Sequence, residues 1–163
     1  VKKVVQLCEK YERKLYGVVS NMSIAMERRD LLQKFDCFIC NQQEAGMFFS
    51  DDYSEKSQKE LQEILAGCLK NGNIPSMVVT MGGKGSVYAD CDGLRGFCPP
   101  KNVSVKDTTG AGDSFCAGVA SGLTYGKTLS EAVEIGTRLA ASVITSSENV
   151  CPRFLPAEFG LEV

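Results

Sequence analysis

A polar, glycine-rich segment, Asp-Thr-Thr-Gly-Ala-Gly-Asp at Asp107–Asp113, leads directly into small apolar residues that predict a helix from Gly112 to about Tyr125. The first amide groups of a helix have no intrahelical acceptor and lie at the positive end of its dipole, so they suit a phosphate. The Asp113 carboxylate would lie on the first turn, beside that anion site. An anion site next to a proton acceptor is the minimum needed to move a phosphoryl group onto an alcohol.

Two other interpretations of this segment compete with phosphoryl transfer. Acidic residues are favoured in the first turn of any helix, whatever its function, because they oppose the helix dipole. A dinucleotide-binding fingerprint fits poorly, since it would need Gly or Ala where Phe115 stands. On these residues alone, an ordinary helix start stays open as an alternative.

A second polar segment, Asn41-Gln-Gln-Glu44, follows the predicted strand Asp36–Cys40. Open α/β sheets bind their ligands at the carboxyl ends of parallel strands, which is where these side chains would lie. The alternative is structural, because Asn at an N-cap followed by Glu three residues later is close to a capping box. From these residues alone, the capping interpretation is the favoured one.

A third segment, Thr80-Met-Gly82-Gly-Lys84-Gly85, joins two predicted strands. Glycines there would let a ligand approach the backbone closely, although a tight hairpin is the simpler interpretation. The segment is not a Walker A loop, because that motif needs Ser or Thr directly after its lysine and Gly85 stands there.

The hydrophobic pattern predicts the elements that position these segments. Nearly continuous apolar runs indicate strands covered on both faces, and apolar residues with a 3.6-residue period indicate helices. The predicted helices are Val1–Arg13, Ile24–Lys34, a helix capped near Asn41 and ending near Phe49, Ser54–Leu69, Gly112–Tyr125 and Leu129–Thr145. The predicted strands are Leu15–Ser20, Asp36–Cys40, Met77–Thr80, Val87–Asp90, Gly93–Cys98 and Val103–Val105. The residues after Ser146 are predicted to form a loop with a short final element.

Composition predicts one soluble globular domain. The chain has 163 residues, enough to bury roughly two-thirds of its unfolded surface. Its formal charge of −2 argues against a nucleic-acid or an anionic-membrane partner. No apolar run approaches the roughly 20 residues of a membrane span, and no signal peptide opens the chain, so we expect a cytoplasmic protein.

Eight cysteines and the absence of histidine restrict the chemistry. Without histidine, Ser-His and Cys-His catalysis are excluded. Cys37 and Cys40 form a Cys-x-x-Cys motif that could bind zinc or form a redox pair. Both lie in a predicted strand, where residues three apart face opposite sides. We therefore favour buried, reduced thiols.

Together the three polar segments resemble the motifs of one family. The segment Asp107–Asp113, continued by Ser-Phe-x-Ala-Gly, is similar to the C-terminal signature of the ribokinase-like (PfkB) carbohydrate and nucleoside kinases. The segments Asn41–Glu44 and Thr80–Gly85 resemble two further motifs of that family, in the family's order. The resemblance covers essentially the whole chain, but only the later half of the family's length.

The resemblance implies an α/β fold, with a Rossmann-like, mostly parallel sheet flanked by helices. Residues 1–163 would be the nucleotide-binding, catalytic C-terminal part of the kinase domain. The N-terminal part, which carries the substrate site and a lid in the family, would be absent. The start at Val1, without a methionine or a helix cap, fits a chain entered partway through.

The resemblance also implies an ATP-dependent phosphotransferase. Asp113 would be the general base, taking the proton of a sugar or nucleoside hydroxyl as it attacks the γ-phosphate. The backbone amides of Gly110, Ala111 and Gly112 would form an anion hole for the transferred group.

Cofactor-binding residues follow from the same resemblance. Glu44 would organise Mg²⁺ through water, because Mg²⁺ keeps most of its hydration. Asp107 and the Thr109 carbonyl resemble a monovalent-cation site, suited to K⁺, which in the family adds carbonyls from around residues 144–147. Thr137 stands where related kinases often place an Asn or His against the adenine. The residues implied to contact ATP are Asn41, Thr80, Gly82, Gly85 and Thr137.

Two functions from different classes stay open at this point. The first is a kinase acting on a small sugar or nucleoside, in which a homodimer or the absent N-terminal half completes the site. The second is a non-catalytic nucleotide-binding or interaction module, or an inactive fragment of such a kinase.

Overall fold

The computed structural model describes residues 1–18, 26–27, 29–147 and 155–161, which form a five-stranded mixed sheet and five α-helices. The strands are β1 (Tyr16–Val18), β2 (Cys37–Asn41), β3 (Ser76–Thr80), β4 (Ser86–Asp90) and β5 (Arg95–Cys98), in the order β1-β2-β3-β4-β5. β1 pairs with β2 and β2 with β3 in parallel, whereas β3 and β4 are antiparallel. The predicted α/β fold is confirmed, with a sheet that is mixed.

The helices are α1 (Lys2–Lys10), α2 (Gln42–Phe49), α3 (Gln58–Gly72), α4 (Ala111–Thr124) and α5 (Leu129–Ile144). Short 3₁₀ turns cover Arg29–Lys34, Gly82–Lys84 and Pro156–Phe159. α3 begins later than predicted because Ser57 caps it in a capping box with Glu60. Within the described residues, no helix is both long enough and apolar enough to cross a bilayer.

Two sequence predictions differ from the structure. Val103–Val105 is not a strand, and the side chain of Val105 is 55% exposed. The backbone of this region turns to a helix end instead, where the Lys106 amide donates to the Ile144 carbonyl at 2.8 Å. Of the helix predicted at 24–34, Met26 and Glu27 are helical, whereas the last six residues, Arg29–Lys34, form a 3₁₀ turn. Residues 24, 25 and 28 of that prediction lie outside the described residues.

The chain divides into two compact units, residues 1–82 with 86–97, and residues 83–85 with 98–163. In the first unit, Leu61, Leu65 and Leu69 form the fully buried stripe of α3. They pack in one core cluster with strand residues from the sheet face that α3 covers: Phe38, Cys40, Met77, Val79, Val87 and Ala89. The alternation along these strands fixes which side chains face α3 and which face the opposite side.

In the second unit, α4 and α5 pack at backbone contact distance. A Cβ added to Gly118 would meet the Gly136 Cα at 2.6 Å, and one added to Gly136 would meet the Phe115 carbonyl oxygen at 2.7 Å. A Cβ on Gly122 would lie 2.8 Å from the Ala132 Cα. The many small residues of α4 predict a helix that packs very close to the sheet or to another helix, and the structure identifies the neighbour as another helix. We call Gly118, Gly122 and Gly136 the glycine seam.

The cysteines of the first unit include the Cys-x-x-Cys motif of β2. No disulfide joins the seven cysteines among the described residues, and Cys37 and Cys40 are both buried. Burial raises the pKa of the Cys37 thiol to about 11, because the thiolate would lose its hydration. The prediction of buried thiols at this Cys-x-x-Cys is confirmed.

Cys37 is therefore expected to resist alkylation. At pH 8 the folded chain should leave Cys37 unmodified by iodoacetamide, since alkylation needs the thiolate and physical access. In urea the same residue should react fully. Mass spectrometry of the peptide that contains Cys37, before and after unfolding, measures this difference. Rapid modification in the folded chain would contradict the burial of this thiol.

Alkaline pH should also weaken the fold through Cys37. The unfolded chain would ionise this thiol near the ordinary cysteine pKa, whereas the folded chain keeps it protonated up to about pH 11. The stability that the neutral thiol contributes is thus fully present below the unfolded pKa. It is lost as the pH rises towards 11. Urea unfolding of wild type and Cys37→Ala between pH 8 and 10.5 measures the change.

Candidate active site

The first part of the candidate site is a row of polar residues across three strands. Asn41, the last residue of β2, pairs in register with Thr80, the last residue of β3. Thr80 in turn pairs with Ser86, the first residue of β4. Residues paired on neighbouring strands project from the same face. The carboxyl ends of β2 and β3 therefore place Asn41 and Thr80 side by side, at the edge where α/β sheets bind ligands.

The side chains of Asn41 and Glu44 form the capping box of α2. The Asn41 Oδ1 accepts the Glu44 amide at 2.8 Å, and the Glu44 Oε2 accepts the Asn41 amide at 2.8 Å. The structural alternative raised by the sequence is confirmed. The box uses only one carboxylate oxygen of Glu44, so the Oε1 atom lies outside it. Capping and a water-mediated metal contact are compatible roles for this carboxylate.

Across the Gly82–Lys84 turn, β3 and β4 form the predicted hairpin. Gly82 and Gly85 have positive φ values of 58° and 100°, which other residues rarely adopt. Gly82 is exposed, and a Cβ built there would meet nothing within 4 Å. The backbone at Gly82 is thus open to a ligand.

The Asp107–Asp113 segment is held by local hydrogen bonds. The Asp107 Oδ1 accepts both the amide and the hydroxyl of Thr109, each at 2.9 Å. These two donors, the amide first, lower the pKa of the Asp107 carboxyl, because they stabilise its charged form. The Asp107 amide also donates to the Ile144 carbonyl at 3.4 Å. The structure therefore brings Asp107, Thr109 and the end of α5 together.

Helix α4 begins at this segment without a side-chain cap. Its N-cap, Gly110, has a φ of 79° and makes no side-chain cap hydrogen bond. The Ala111 amide donates to the Thr108 carbonyl at 3.1 Å, so one of the three amides predicted for the anion hole has an internal acceptor. Gly112 is exposed, and a Cβ built there would meet nothing within 4 Å. Asp113 is exposed on the same first turn.

Thr137, predicted near the base of the nucleotide, is buried in α5. Its hydroxyl donates to the Val133 carbonyl at 2.9 Å, and its Oγ1 lies 3.4 Å from the Cys98 sulfur. Sequence reasoning did not identify Cys98. No local signal could have done so, because the two residues are 39 positions apart and meet only through the fold.

Ser86 is the second residue that sequence reasoning missed. It is 2% exposed, and within the described residues its hydroxyl has no hydrogen-bond partner. The predicted hairpin already indicated that Ser86 would lie opposite Thr80. It did not indicate that the Ser86 side chain would be buried.

The described residues contain no cluster of three or more Cys, Asp or Glu side chains that could hold a metal ion by themselves. They offer open glycine backbone at Gly82 and Gly112, where phosphates could approach. Asn41, Glu44, Thr80 and Gly82 belong to the first unit. The other predicted site residues belong to the second unit: Gly85, Asp107, Thr109, Gly110, Ala111, Gly112, Asp113 and Thr137.

Several known proteins are similar to this chain. The guanosine-inosine kinase of Exiguobacterium acetylicum is 38% identical over 159 residues, which cover 96% of this chain and 52% of that protein. The fructoselysine 6-kinase of Escherichia coli K12 is 43% identical over 70 residues, 42% of this chain and 26% of that protein. The chain thus spans about half the length of the first of these relatives.

Solved structures with the same fold also match this chain over about half of their own length. A probable sugar kinase from Rhizobium etli has a TM-score of 0.76 and 24% identity, covering 97% of this chain and 48% of that one. The Arabidopsis thaliana ribokinase, solved with ribose and ATP, has a TM-score of 0.77 and 23% identity, covering 91% and 46%. The model of the pfkB family of carbohydrate kinases matches residues 3–152. The chain therefore belongs to the pfkB carbohydrate kinase family.

Proposed function

We propose that this chain carries the nucleotide-binding and catalytic part of an ATP-dependent kinase that phosphorylates a hydroxyl of a small sugar or nucleoside. The observation that carries the proposal is the start of α4, where an exposed carboxylate, Asp113, lies one residue from the open backbone of Gly112. A proton acceptor beside unpaired helix amides suits the transfer of a phosphoryl group to an alcohol.

Each residue of this site has a distinct proposed role. Asp113 accepts the hydroxyl proton as the new oxygen–phosphorus bond forms and the bond between the transferred phosphoryl group and ADP breaks. The amides of Gly110 and Gly112 stabilise the charge on the transferred group, whereas the Ala111 amide already donates to the Thr108 carbonyl. Asp107, held by Thr109, fixes the turn before the helix and contributes to a K⁺ site. Magnesium, when bound with ATP, neutralises phosphate charge. Glu44 orients its water shell.

The nucleotide contacts are proposed for residues of both sheet and helix. Asn41 and Thr80 lie at the carboxyl edge of two parallel strands, where their polar groups suit phosphate or ribose oxygens. Gly82 and Gly85 let the ligand approach the backbone closely. Thr137 contacts the base less directly than an Asn or His would, because its hydroxyl already donates to Val133.

We further propose that the acceptor is a purine nucleoside. The guanosine-inosine kinase matches this chain along almost its whole length at 38% identity, whereas the fructoselysine kinase matches over less than half. The residues that choose the acceptor lie partly in the half of the relatives that this chain does not match. The acceptor class is therefore drawn from similarity and not from a pocket.

A substrate assay tests the proposal. The natural polypeptide that contains this chain is incubated with MgATP and guanosine, inosine, ribose or fructose 6-phosphate, and ADP release is followed. Preferential turnover of guanosine and inosine would support both the kinase activity and the nucleoside acceptor. Turnover of a sugar alone would refute the nucleoside assignment and keep the kinase. ATP binding without turnover of any acceptor would favour the non-catalytic nucleotide-binding module.

The two roles of Glu44 are separable by mutation. Glu44→Gln should keep the capping box, because a glutamine oxygen can accept the same amide hydrogen. The loss of charge should raise the Mg²⁺ concentration needed for half-maximal activity about tenfold or more, with unchanged helix content. Glu44→Ala should lose both the charge and the hydrogen bond from the Asn41 amide, whereas the Asn41 side chain can still accept the amide of residue 44. The stability lost should be that of one hydrogen bond, about 0.5–1.5 kcal/mol.

Magnesium titrations and urea unfolding of both variants measure the two effects. Glu60→Gln, in the equivalent capping box of α3, is the matched control, and it should leave the magnesium dependence unchanged. An unchanged magnesium requirement in Glu44→Gln would refute the metal role of this carboxylate.

A further inference from the structure

Ser86, the first residue of β4, combines burial with an unused hydroxyl. Its side chain is 2% exposed, and among the described residues no group forms a hydrogen bond with its Oγ atom. Buried polar groups almost always have a partner, because an unpaired group loses its hydration without compensation. In the part of the chain that the structure describes, no other buried side-chain nitrogen or oxygen is left in this state.

The other hydroxyls on the same face of the sheet do have partners. Ser76, Thr80 and Ser86 project from one face of the β3–β4 pair, because positions 76 and 80 are four apart and Thr80 pairs with Ser86. The Ser76 hydroxyl donates to the Asp36 carbonyl at 2.7 Å, and the Thr80 hydroxyl donates to the Cys40 carbonyl at 3.4 Å. The sheet therefore provides an acceptor for each neighbouring hydroxyl and none for Ser86.

Ser86 also lies at the edge of the sheet where a ligand is expected. It pairs with Thr80, which in turn pairs with Asn41, at the carboxyl ends of β2 and β3. In this row, the Asn41 Oδ1 atom is used by the amide of Glu44, and the Thr80 hydroxyl is used by the Cys40 carbonyl. Of the two hydroxyls in the row, only that of Ser86 is left to donate to a ligand.

The turn that precedes Ser86 favours an anionic partner. Residues 81–85 contain no acidic residue, and the Lys84 side chain is exposed there. A Cβ built on Gly82 or Gly83 would meet nothing within 4 Å, so the backbone of the turn is open. Hydrogen bonds to an ionised acceptor are roughly twice as strong as those between neutral groups. A phosphate oxygen would thus compensate a buried hydroxyl better than a neutral ribose oxygen.

A ligand can reach this hydroxyl only after its surroundings shift, because the side chain is 2% exposed. Gly82 and Gly85 flank the turn with positive φ values of 58° and 100°, and glycine changes its backbone conformation more easily than other residues. The turn therefore has the backbone freedom that such a shift requires. Without ligand, the hydroxyl stays buried and unpaired.

We propose that the Ser86 hydroxyl donates a hydrogen bond to a phosphate oxygen of the bound nucleotide, which is the partner that the protein itself does not provide. The proposal rests on the nucleotide site of the proposed function, and it does not depend on the acceptor or on Asp113. The same hydroxyl then lowers the stability of the free protein and raises its affinity for the nucleotide.

The variant Ser86→Ala tests both effects in the natural polypeptide that contains this chain. Without nucleotide, its Tm should rise by about 2–4 °C, because the unpaired buried hydroxyl is gone. The Kd for MgATP, measured by calorimetry, should increase about tenfold. The increase should be equally large with 2′-deoxy-ATP and 3′-deoxy-ATP, because removing a ribose hydroxyl leaves a phosphate contact intact.

Ser76→Ala is the matched control on the same face of the sheet. It removes a hydroxyl that has a partner, so its Tm should fall and its Kd for MgATP should stay unchanged. A lower Tm in Ser86→Ala would overturn the proposal, because the hydroxyl would then have a partner in the free protein. An effect on Kd that disappears with either deoxynucleotide would overturn the phosphate contact, since the ribose would then be the partner.

Failure of this proposal can be told apart from failure of the proposed function. A wild-type protein that binds MgATP, together with an unchanged Kd in Ser86→Ala, would refute the role of Ser86 alone. A wild-type protein that does not bind MgATP would refute both the nucleotide site and the role of Ser86.

Discussion

Replacing Asp113 by Asn is expected to lower kcat by roughly 10²–10⁴-fold, which is the usual contribution of a general base. The substitution keeps the size of the side chain and removes its capacity to accept the hydroxyl proton. Because Asp113 is exposed on the first turn of α4, the fold should be unaffected. Steady-state kinetics with MgATP, on the natural polypeptide and its preferred acceptor, measure the loss.

Nucleotide binding separates this effect from a general loss of the site. The Kd for MgATP, measured by calorimetry, should change little in Asp113→Asn, because the base acts on the acceptor. Asp92→Asn, an exposed aspartate on the β4–β5 turn, is the control and should keep full activity. Turnover of Asp113→Asn within a few-fold of wild type would eliminate the catalytic role.

Enlarging the glycine seam is expected to produce the largest loss of stability. In Gly118→Val, the new side chain would start 2.6 Å from the Gly136 Cα, and backbone cannot move aside as a flexible side chain can. Overpacking of this kind costs about 1–3 kcal/mol, and more where the neighbour is rigid. Gly118→Ala should cost less, because alanine favours the helix by about 0.5–1 kcal/mol and offsets part of the clash. Urea unfolding gives the free energies.

Gly67→Ala is the matched control for the seam. Gly67 also lies inside a helix, but it is exposed, and a Cβ there would meet nothing within 4 Å. This variant should raise the free energy of unfolding by about 0.5–1 kcal/mol. The test is whether the free energy of unfolding rises in Gly67→Ala and falls in Gly118→Ala. Stabilisation by both substitutions would mean that α4 and α5 are farther apart than the structure has them.

The parts of the fold that depend on local pattern could be predicted from the sequence. The nearly continuous apolar run at Met77–Thr80 predicted its strand, and the small residues of α4 predicted its close packing. The Asn41–Glu44 spacing gave the capping box, because caps are satisfied within one helical turn. The strand predicted at Val103–Val105 was wrong, because alternation shows only that a segment could pair. It does not show that a strand edge is available.

The parts that depend on distant contacts could not be predicted. The Lys106 and Asp107 amides bond the Ile144 carbonyl, more than 35 residues away, and the Thr137 hydroxyl lies against Cys98. Nothing in either local sequence indicates its partner. Among the proposed site residues, those at the ends of helices and strands could be identified, because the types and the spacing of neighbouring residues form a motif there. The roles proposed for them stay predictions until the variants are measured.

The glycine seam also shapes how this protein would respond to random mutation. Every residue that can replace glycine is larger, so every missense change at Gly118, Gly122 or Gly136 pushes α4 away from α5. Asp113 lies on the first turn of α4, the helix that would move. At the end of α5, the Ile144 carbonyl accepts a hydrogen bond from the Asp107 amide. A library selected for loss of the proposed phosphorylation should therefore recover seam substitutions alongside those at Asp113, although no seam residue is proposed to touch a substrate. Lowering the growth temperature should rescue the seam class and leave the Asp113 class inactive.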